Sequence, residues 1–187
     1  MQLENYVKFN IMKKLLLLIA IVGVGFTANA QKNVVKANPL ALAFGSFEVG
    51  YERVVSESSS VELAVAYSSL KVNTIGGQVD AKSEGFGVEG KYKFYFGDET
   101  PRGWYAAPVV SYSSTSLDSA GESGDFSFFG AGAVAGYQWV FGGGDSGFAL
   151  DLNFGAQYAS ISTSGSISST GIEGFLPKLG LSLGYAW

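Results

Sequence analysis

The sequence predicts an all-β protein, an eight-stranded antiparallel up-and-down transmembrane β-barrel behind a cleaved signal peptide. Three observations lead there. Apolar residues alternate with small or polar ones at a period of two, the strand period, over runs of about ten residues. The 187 residues include 26 glycines and 14% aromatics, yet only 15% are charged. Beyond residue 30 no stretch holds the 18 or more consecutive apolar residues of a spanning helix.

The amino end reads as an export signal. Lys13 and Lys14 form a positive region, Leu15 to Phe26 an apolar stretch, and Ala28-Asn29-Ala30 a small-residue cleavage site. At 12 residues the stretch falls short of the ~20 that a spanning helix needs, which argues against a membrane anchor. Met12 alone opens a full signal, so residues 1–11 read as an overlong start. The expected domains are a signal peptide over 1–30 and a barrel over 31–187. Cleavage removes Lys8, Lys13, Lys14 and Glu4, moving the formal net charge from −4 to −6. A surplus of acid argues against nucleic acid, and none is expected as a partner.

The strands are expected at 34–44, 47–55, 60–71, 84–96, 103–115, 126–141, 147–160 and 173–187. In the first, Leu40, Leu42 and Phe44 share a face, and the phase jumps at Gly45-Ser46. One long bulged strand from Leu40 to Arg53, giving seven in all, is the alternative. In the second, Phe47, Val49 and Tyr51 oppose Glu48, Gly50 and Glu52, and in the third Val61, Leu63, Val65 and Tyr67 oppose Glu62, Ala64 and Ala66. In the fourth, Val88, Gly90, Tyr92, Phe94 and Phe96 oppose Glu89, Lys91, Lys93 and Tyr95. The fifth is weaker, with Trp104, Ala106, Pro108, Val110 and Tyr112 against Tyr105 and Val109. The sixth carries bulk on both faces, with Tyr137, Trp139 and Phe141 opposite Gly136 and Gln138. The seventh alternates most cleanly, setting Phe148, Leu150, Leu152, Phe154, Ala156 and Tyr158 against Asp151, Asn153 and Gln157. In the eighth, Leu179, Leu181, Leu183, Tyr185 and Trp187 oppose Lys178, Gly180 and Ser182. Eight strands, an even number, bring both chain ends to one side of a membrane. Short connections near Glu57, Gly97–Arg102 and Gly142–Ser146 then alternate with longer Ser/Gly/Asp-rich ones at Asn73–Ala81, Thr115–Asp125 and Ser160–Gly171.

The same alternation would suit a soluble ligand-binding barrel with its apolar face inward. Against that, the polar face is mostly Gly, Ala and Ser, which suits the narrow lumen of eight strands rather than contact with water. Aromatics cluster at strand ends, where membrane interfaces favour them: Tyr51, Tyr67, Phe94, Phe96, Trp104, Tyr112, Tyr137, Trp139, Phe141, Tyr158, Tyr185 and Trp187. The chain also stops in an alternating strand with Trp187 as its last residue.

The run from Leu179 through Leu181, Leu183 and Tyr185 to Trp187 resembles the carboxy-terminal insertion signal of bacterial outer-membrane proteins. Gly50-Tyr51-Glu52-Arg53 and Gly136-Tyr137-Gln138-Trp139, each before a short turn, resemble the strand ends of small OmpX- and OmpA-type barrels. The resemblance spans residues 34–187 and implies an outer-membrane location, contact with its lipid and assembly by the insertion machinery. It leaves room for membership of an outer-membrane complex and implies no single activity. No peptidoglycan-binding domain is expected to follow the barrel.

Catalysis finds no footing. There is no cysteine and no histidine, which removes the commonest nucleophile–base pairs and the commonest metal ligand. The small outer-membrane enzymes that this barrel type resembles all need a histidine. Gly85-Phe86-Gly87-Val88-Glu89-Gly90 spells a dinucleotide string but sits inside a strand, with no helix after it. Gly144-Asp145-Ser146-Gly147 looks like a protease nucleophile motif without a base, and reads as a hairpin turn. No cofactor or metal is expected. The inward charges Glu48, Glu52, Glu62, Glu89, Asp151, Lys91, Lys93 and Lys178 are the candidate functional residues. They form either a salt-bridged plug, since unpaired buried charge is costly, or the lining of a narrow passive pore. A non-enzymatic structural or surface-interaction role is the leading expectation, with the pore and the soluble barrel behind it.

Overall fold

The computed structural model describes residues 33–43, 45–73, 80–119, 122–142, 146–165 and 171–187, so the signal read over 1–30 lies outside the described residues. The strands are β1 (Asn33–Ala37), β2 (Ser46–Ser56), β3 (Ser59–Asn73), β4 (Asp80–Tyr95), β5 (Gly103–Ser119), β6 (Glu122–Phe141), β7 (Gly147–Gly165) and β8 (Ile172–Ala186). One short helix, α1 (Pro39–Ala43), joins β1 to β2. Each strand pairs antiparallel with the next, and β1 pairs with β8 to close the ring. The amide of Asn33 donates to the Trp187 carbonyl at 2.8 Å and Trp187 returns the bond at 2.9 Å, tying the ends of the barrel together.

The eight-strand count stands, but the first strand is corrected. Instead of running over 34–44 it stops at Ala37, and Leu40 and Leu42 lie on α1 rather than on a strand face. Phe44 is outside the described residues. The cause is local: the Asn38 Oδ1 accepts from the amides of Leu40 at 3.0 Å and Ala41 at 3.2 Å, an N-cap, and Pro39 occupies the first helical position. The helix resets the phase, so Val35 points out and Lys36 points in.

Two of the long loops are corrected as well. β5 continues to Ser119 and β6 begins at Glu122, so Thr115–Asp125 is mostly paired strand; β7 likewise continues to Gly165. Along these extensions apolar residues thin out to Leu117, Phe126 and Ile161, so apolar alternation stops although the backbone ladder does not. At Pro108, which has no amide hydrogen to donate, the β4–β5 ladder is interrupted, with partners resuming at Phe94 and Ala106.

Along every strand one face turns inward. The inward rows hold Tyr95, Tyr105, Ala107, Val109 and Val134 as one buried cluster, and Val34, Ala149 and Ala186 as another beside the chain ends. The outward rows are apolar and open: Leu63, Phe86, Val110, Phe129, Phe154 and Leu183 are all exposed, as is Leu179 at 79%. No helix among the described residues is long and apolar enough to cross a membrane.

Candidate functional site: the charged lumen

Cross-strand register builds the lumen. Glu52 on β2 lies opposite Glu62 on β3, Glu62 opposite Lys91 on β4, and Gln138 on β6 opposite Asp151 on β7. Two like charges facing each other across a ladder repel, so Glu52 and Glu62 need cations between them. Lys36 and Lys93 supply these. The Lys36 ammonium bonds Glu52, Glu62 at 2.6 Å and Asp151 at 2.7 Å, and donates to the Gln138 Oε1 at 2.6 Å. Lys93 reaches the same three carboxylates, Glu52 at 3.0 Å, Glu62 at 2.7 Å and Asp151 at 2.6 Å.

Polar neighbours satisfy the remaining lone pairs. Tyr95 donates its hydroxyl to Glu52 at 2.6 Å, Tyr105 donates to Asp151 at 2.6 Å, and Ser60 donates to Glu52 at 2.5 Å. The Lys93 ammonium also stands 4.4 Å from the centre of the Tyr105 ring, in reach of its negative face. Gln138 donates to the Pro101 carbonyl at 2.7 Å, anchoring the plug to the β4–β5 turn. Glu52 and Lys93 are wholly buried. The carboxylates of Glu52, Glu62 and Asp151 lie close enough to share a metal ion, but the two ammonium groups occupy that position between them. This donor set is therefore saturated by lysine and fits no further cation.

Farther toward the long-loop end, Lys91 bridges Glu62 and Glu89 at 2.9 Å each, and Lys178 bonds Glu89 at 2.5 Å. Beyond them lies a cavity of about 190 Å³, lined by Glu48, Glu89, Lys178, Ser111, Phe128 and Gln157 among others. All eight charged residues singled out from the sequence thus face the lumen: Glu52, Glu62, Lys91, Lys93 and Asp151 in or beside the plug, and Glu48, Glu89 and Lys178 at the cavity.

The residue that sequence reasoning missed is Lys36, the hub of the plug. Carrying the phase of Leu40 and Leu42 back along one strand put Lys36 on the outer face. The Asn38-Pro39 pair, a cap followed by a first-turn proline, is the signal that breaks that phase. Tyr95, Tyr105 and Gln138 fell on the inner face by alternation, but nothing in their type announced a role. At the carboxy end, Leu179, Leu183 and Tyr185 are exposed on the outer wall, Leu181 is half-buried, and Trp187 packs 6.5 Å from Tyr51.

Fold and lumen together define a closed eight-stranded barrel with an apolar outer wall and an ion-paired plug. The chain belongs to the family described as "Protein of unknown function (DUF3575)", whose profile matches residues 15–166. Among solved structures it is similar to the translocator domain of the autotransporter NalP from Neisseria meningitidis, at 11% identity and a TM-score of 0.38, covering 97% of this chain and 68% of that one. It is also similar to a major outer membrane protein from Thermus thermophilus, at 14% identity and a TM-score of 0.40, covering 85% of this chain and 99% of that one. No curated protein matches the chain.

Proposed function

We propose that this protein is a small outer-membrane barrel, of the OmpX and OmpA kind, that works without catalysis as a structural or surface-interaction protein. One observation carries the proposal: the wall is inside out relative to a water-soluble barrel, with large apolar side chains exposed all round and the charges paired within. Apolar patches much above a few hundred Å² are rare on monomeric soluble proteins, whereas lipid favours such a wall.

The outer face supports the same setting in its detail. Near the short-turn end, aromatics gather as Trp104 with Tyr137 at 5.1 Å, Tyr137 with Trp139 at 4.5 Å, and Phe141 with Phe148 at 6.1 Å. A second ring holds Phe47, Tyr67, Phe86, Tyr112, Phe129 and the Tyr158–Phe175 pair. Between them run aliphatic residues such as Val49, Val88, Val110 and Leu152. From Phe148 to Tyr158 on β7 is ten residue steps. At about 3.3 Å per residue and a tilt near 40° that spans about 25 Å, the height of an outer-membrane apolar band.

The plug argues against a pore, because the ammonium of Lys36 draws carboxylates from β2, β3 and β7 together on the barrel axis. The strand extensions at the long-loop end, rich in Ser, Thr, Gly and Asp, are the surface offered to any partner. Reconstitution into planar bilayers tests this: insertion without steady conductance is expected. A steady conductance that disappears in Glu52→Ala or Lys91→Ala would replace the proposal with a pore. A third outcome, full solubility without detergent, would favour a ligand-binding barrel.

A further inference from the structure

The lumen charges divide unevenly. Four lysines (Lys36, Lys91, Lys93 and Lys178) and four carboxylates (Glu52, Glu62, Glu89 and Asp151) close on one another in a continuous network of equal formal charge. Glu48 stands outside it. Among the described residues its carboxylate makes no ion pair, and its one side-chain hydrogen bond comes from the Asn38 amide at 3.2 Å. Lys91 and Lys178, which share its neighbourhood, are both spent on Glu89.

This lone carboxylate looks into the 190 Å³ cavity, and the register shows why the cavity is there. Following partners round the wall from Glu48 gives Ala66, Gly87, Ser113 and then Phe128. The adjacent row runs Gly50, Ala64, Glu89, Ser111, Gly130. In a barrel this narrow, side chains ordinarily fill the interior; two successive rows made mostly of Ala, Gly and Ser leave a space between Glu48, Glu89 and Phe128. Glu48 on β2 and Phe128 on β6 are four strands apart in a ring of eight, so they face each other across it. The cavity therefore has the Glu48 carboxylate on one wall, an aromatic ring on the other, and between them the mutually neutralising Glu89–Lys178 pair with hydroxyl and amide groups from Ser111, Ser113 and Gln157.

We infer that this cavity is a binding site for a small organic cation, an ammonium or guanidinium group carried on a ring-sized apolar body. A cavity of about 150 Å³ accepts benzene, so 190 Å³ takes a benzyl-sized group. The charge would settle on Glu48, and the apolar body against Phe128. Such a ligand would neutralise the one carboxylate that the lysines leave over. An anion would meet it instead. The inference rests on the lumen geometry and not on the membrane setting.

The test uses the protein purified from membranes and placed in phosphatidylcholine nanodiscs, with three probes of one shape: benzylammonium, benzyl alcohol and benzoate. Backbone NMR shifts at Ala66, Gly87, Ser113 and Gln157 report occupancy, while the gel shift on boiling reports the folded barrel. Saturable binding of benzylammonium and none of benzoate is expected. Glu48→Gln should weaken benzylammonium at least tenfold, to the level of benzyl alcohol, and Ala66→Leu, which fills the cavity, should abolish binding of both. The inference is overturned if benzylammonium leaves these residues unshifted, if benzoate binds as well, or if Glu48→Gln binds unchanged. Should Glu48→Gln not fold, the ranking of the three probes on the wild type and its loss in Ala66→Leu decide alone.

Discussion

Replacing Lys36 by methionine, which keeps most of the volume and removes the charge, strikes the plug at its hub. The ammonium holds Glu52, Glu62, Asp151 and the Gln138 oxygen, three of those contacts being 2.6–2.7 Å long. Without it the network keeps three lysines for four carboxylates, all but the Glu89 end fully buried. Two regimes give different magnitudes. If the lumen were a wet channel, the loss would resemble that of an exposed pair, about 0–1 kcal/mol. In a dry plug, removing one partner strands a buried charge and costs about 3–5 kcal/mol. With a urea dependence of about 2 kcal/mol per molar, the midpoint should fall by roughly 2 M. The assay is urea unfolding of the protein in phosphatidylcholine vesicles, followed by tryptophan fluorescence and by the fraction that shifts on boiling. Adding Asp151→Asn restores the charge balance, so the double variant should be more stable than the two single losses sum to, by about 1–3 kcal/mol. A loss under about 1 kcal/mol for Lys36→Met, or strict additivity in the double variant, would refute a dry, interlocked plug.

Two further substitutions probe the wall. Leu152 is an exposed outward residue near the middle of β7, so Leu152→Arg should lower folding stability in bilayers by about 2–4 kcal/mol, the midplane penalty for arginine; no change would mean that this face meets water. At Gly132 an added Cβ would sit 2.1 Å from the Ala156 carbonyl oxygen, whereas at Gly87 its nearest neighbour is the Ser113 Cβ at 3.4 Å. Gly132→Ala should therefore destabilise by about 1–3 kcal/mol while Gly87→Ala folds normally, and equal yields of heat-shifting protein from both would contradict the close approach.

Much of this barrel is legible in sequence because its physics repeats every two residues. β7 could be read almost residue by residue, since Phe148 to Tyr158 alternates without a break. Alternation fixed which face was which and put Glu52, Glu62, Lys93 and Asp151 on the inner one, whereas the register that joins them is a matter of the folded barrel. Legibility failed where the period changed. At Asn38-Pro39 a capped turn of helix interrupts the strand, and the phase error it caused hid Lys36. Past Thr115 and Ser160 the apolar residues thin out to Leu117 and Ile161 and alternation stops, so a ladder that continues looked like loop. The cavity could not be foreseen at all. It depends on which small residues share a cross-strand row, and Ala66, Gly87 and Ser113 are partners only once two registers are known.

The proposal that the apolar face looks outward into lipid is checked by fractionating cells, washing the outer membranes with carbonate, and running the protein unboiled and boiled on an SDS gel. Retention in the washed outer membrane, with a mobility that changes on boiling, is the expected result. Protein recovered soluble without detergent, with no such change, would mean that the exposed belt of Leu152, Phe154 and Leu179 is not a lipid-facing wall, and would contradict the account.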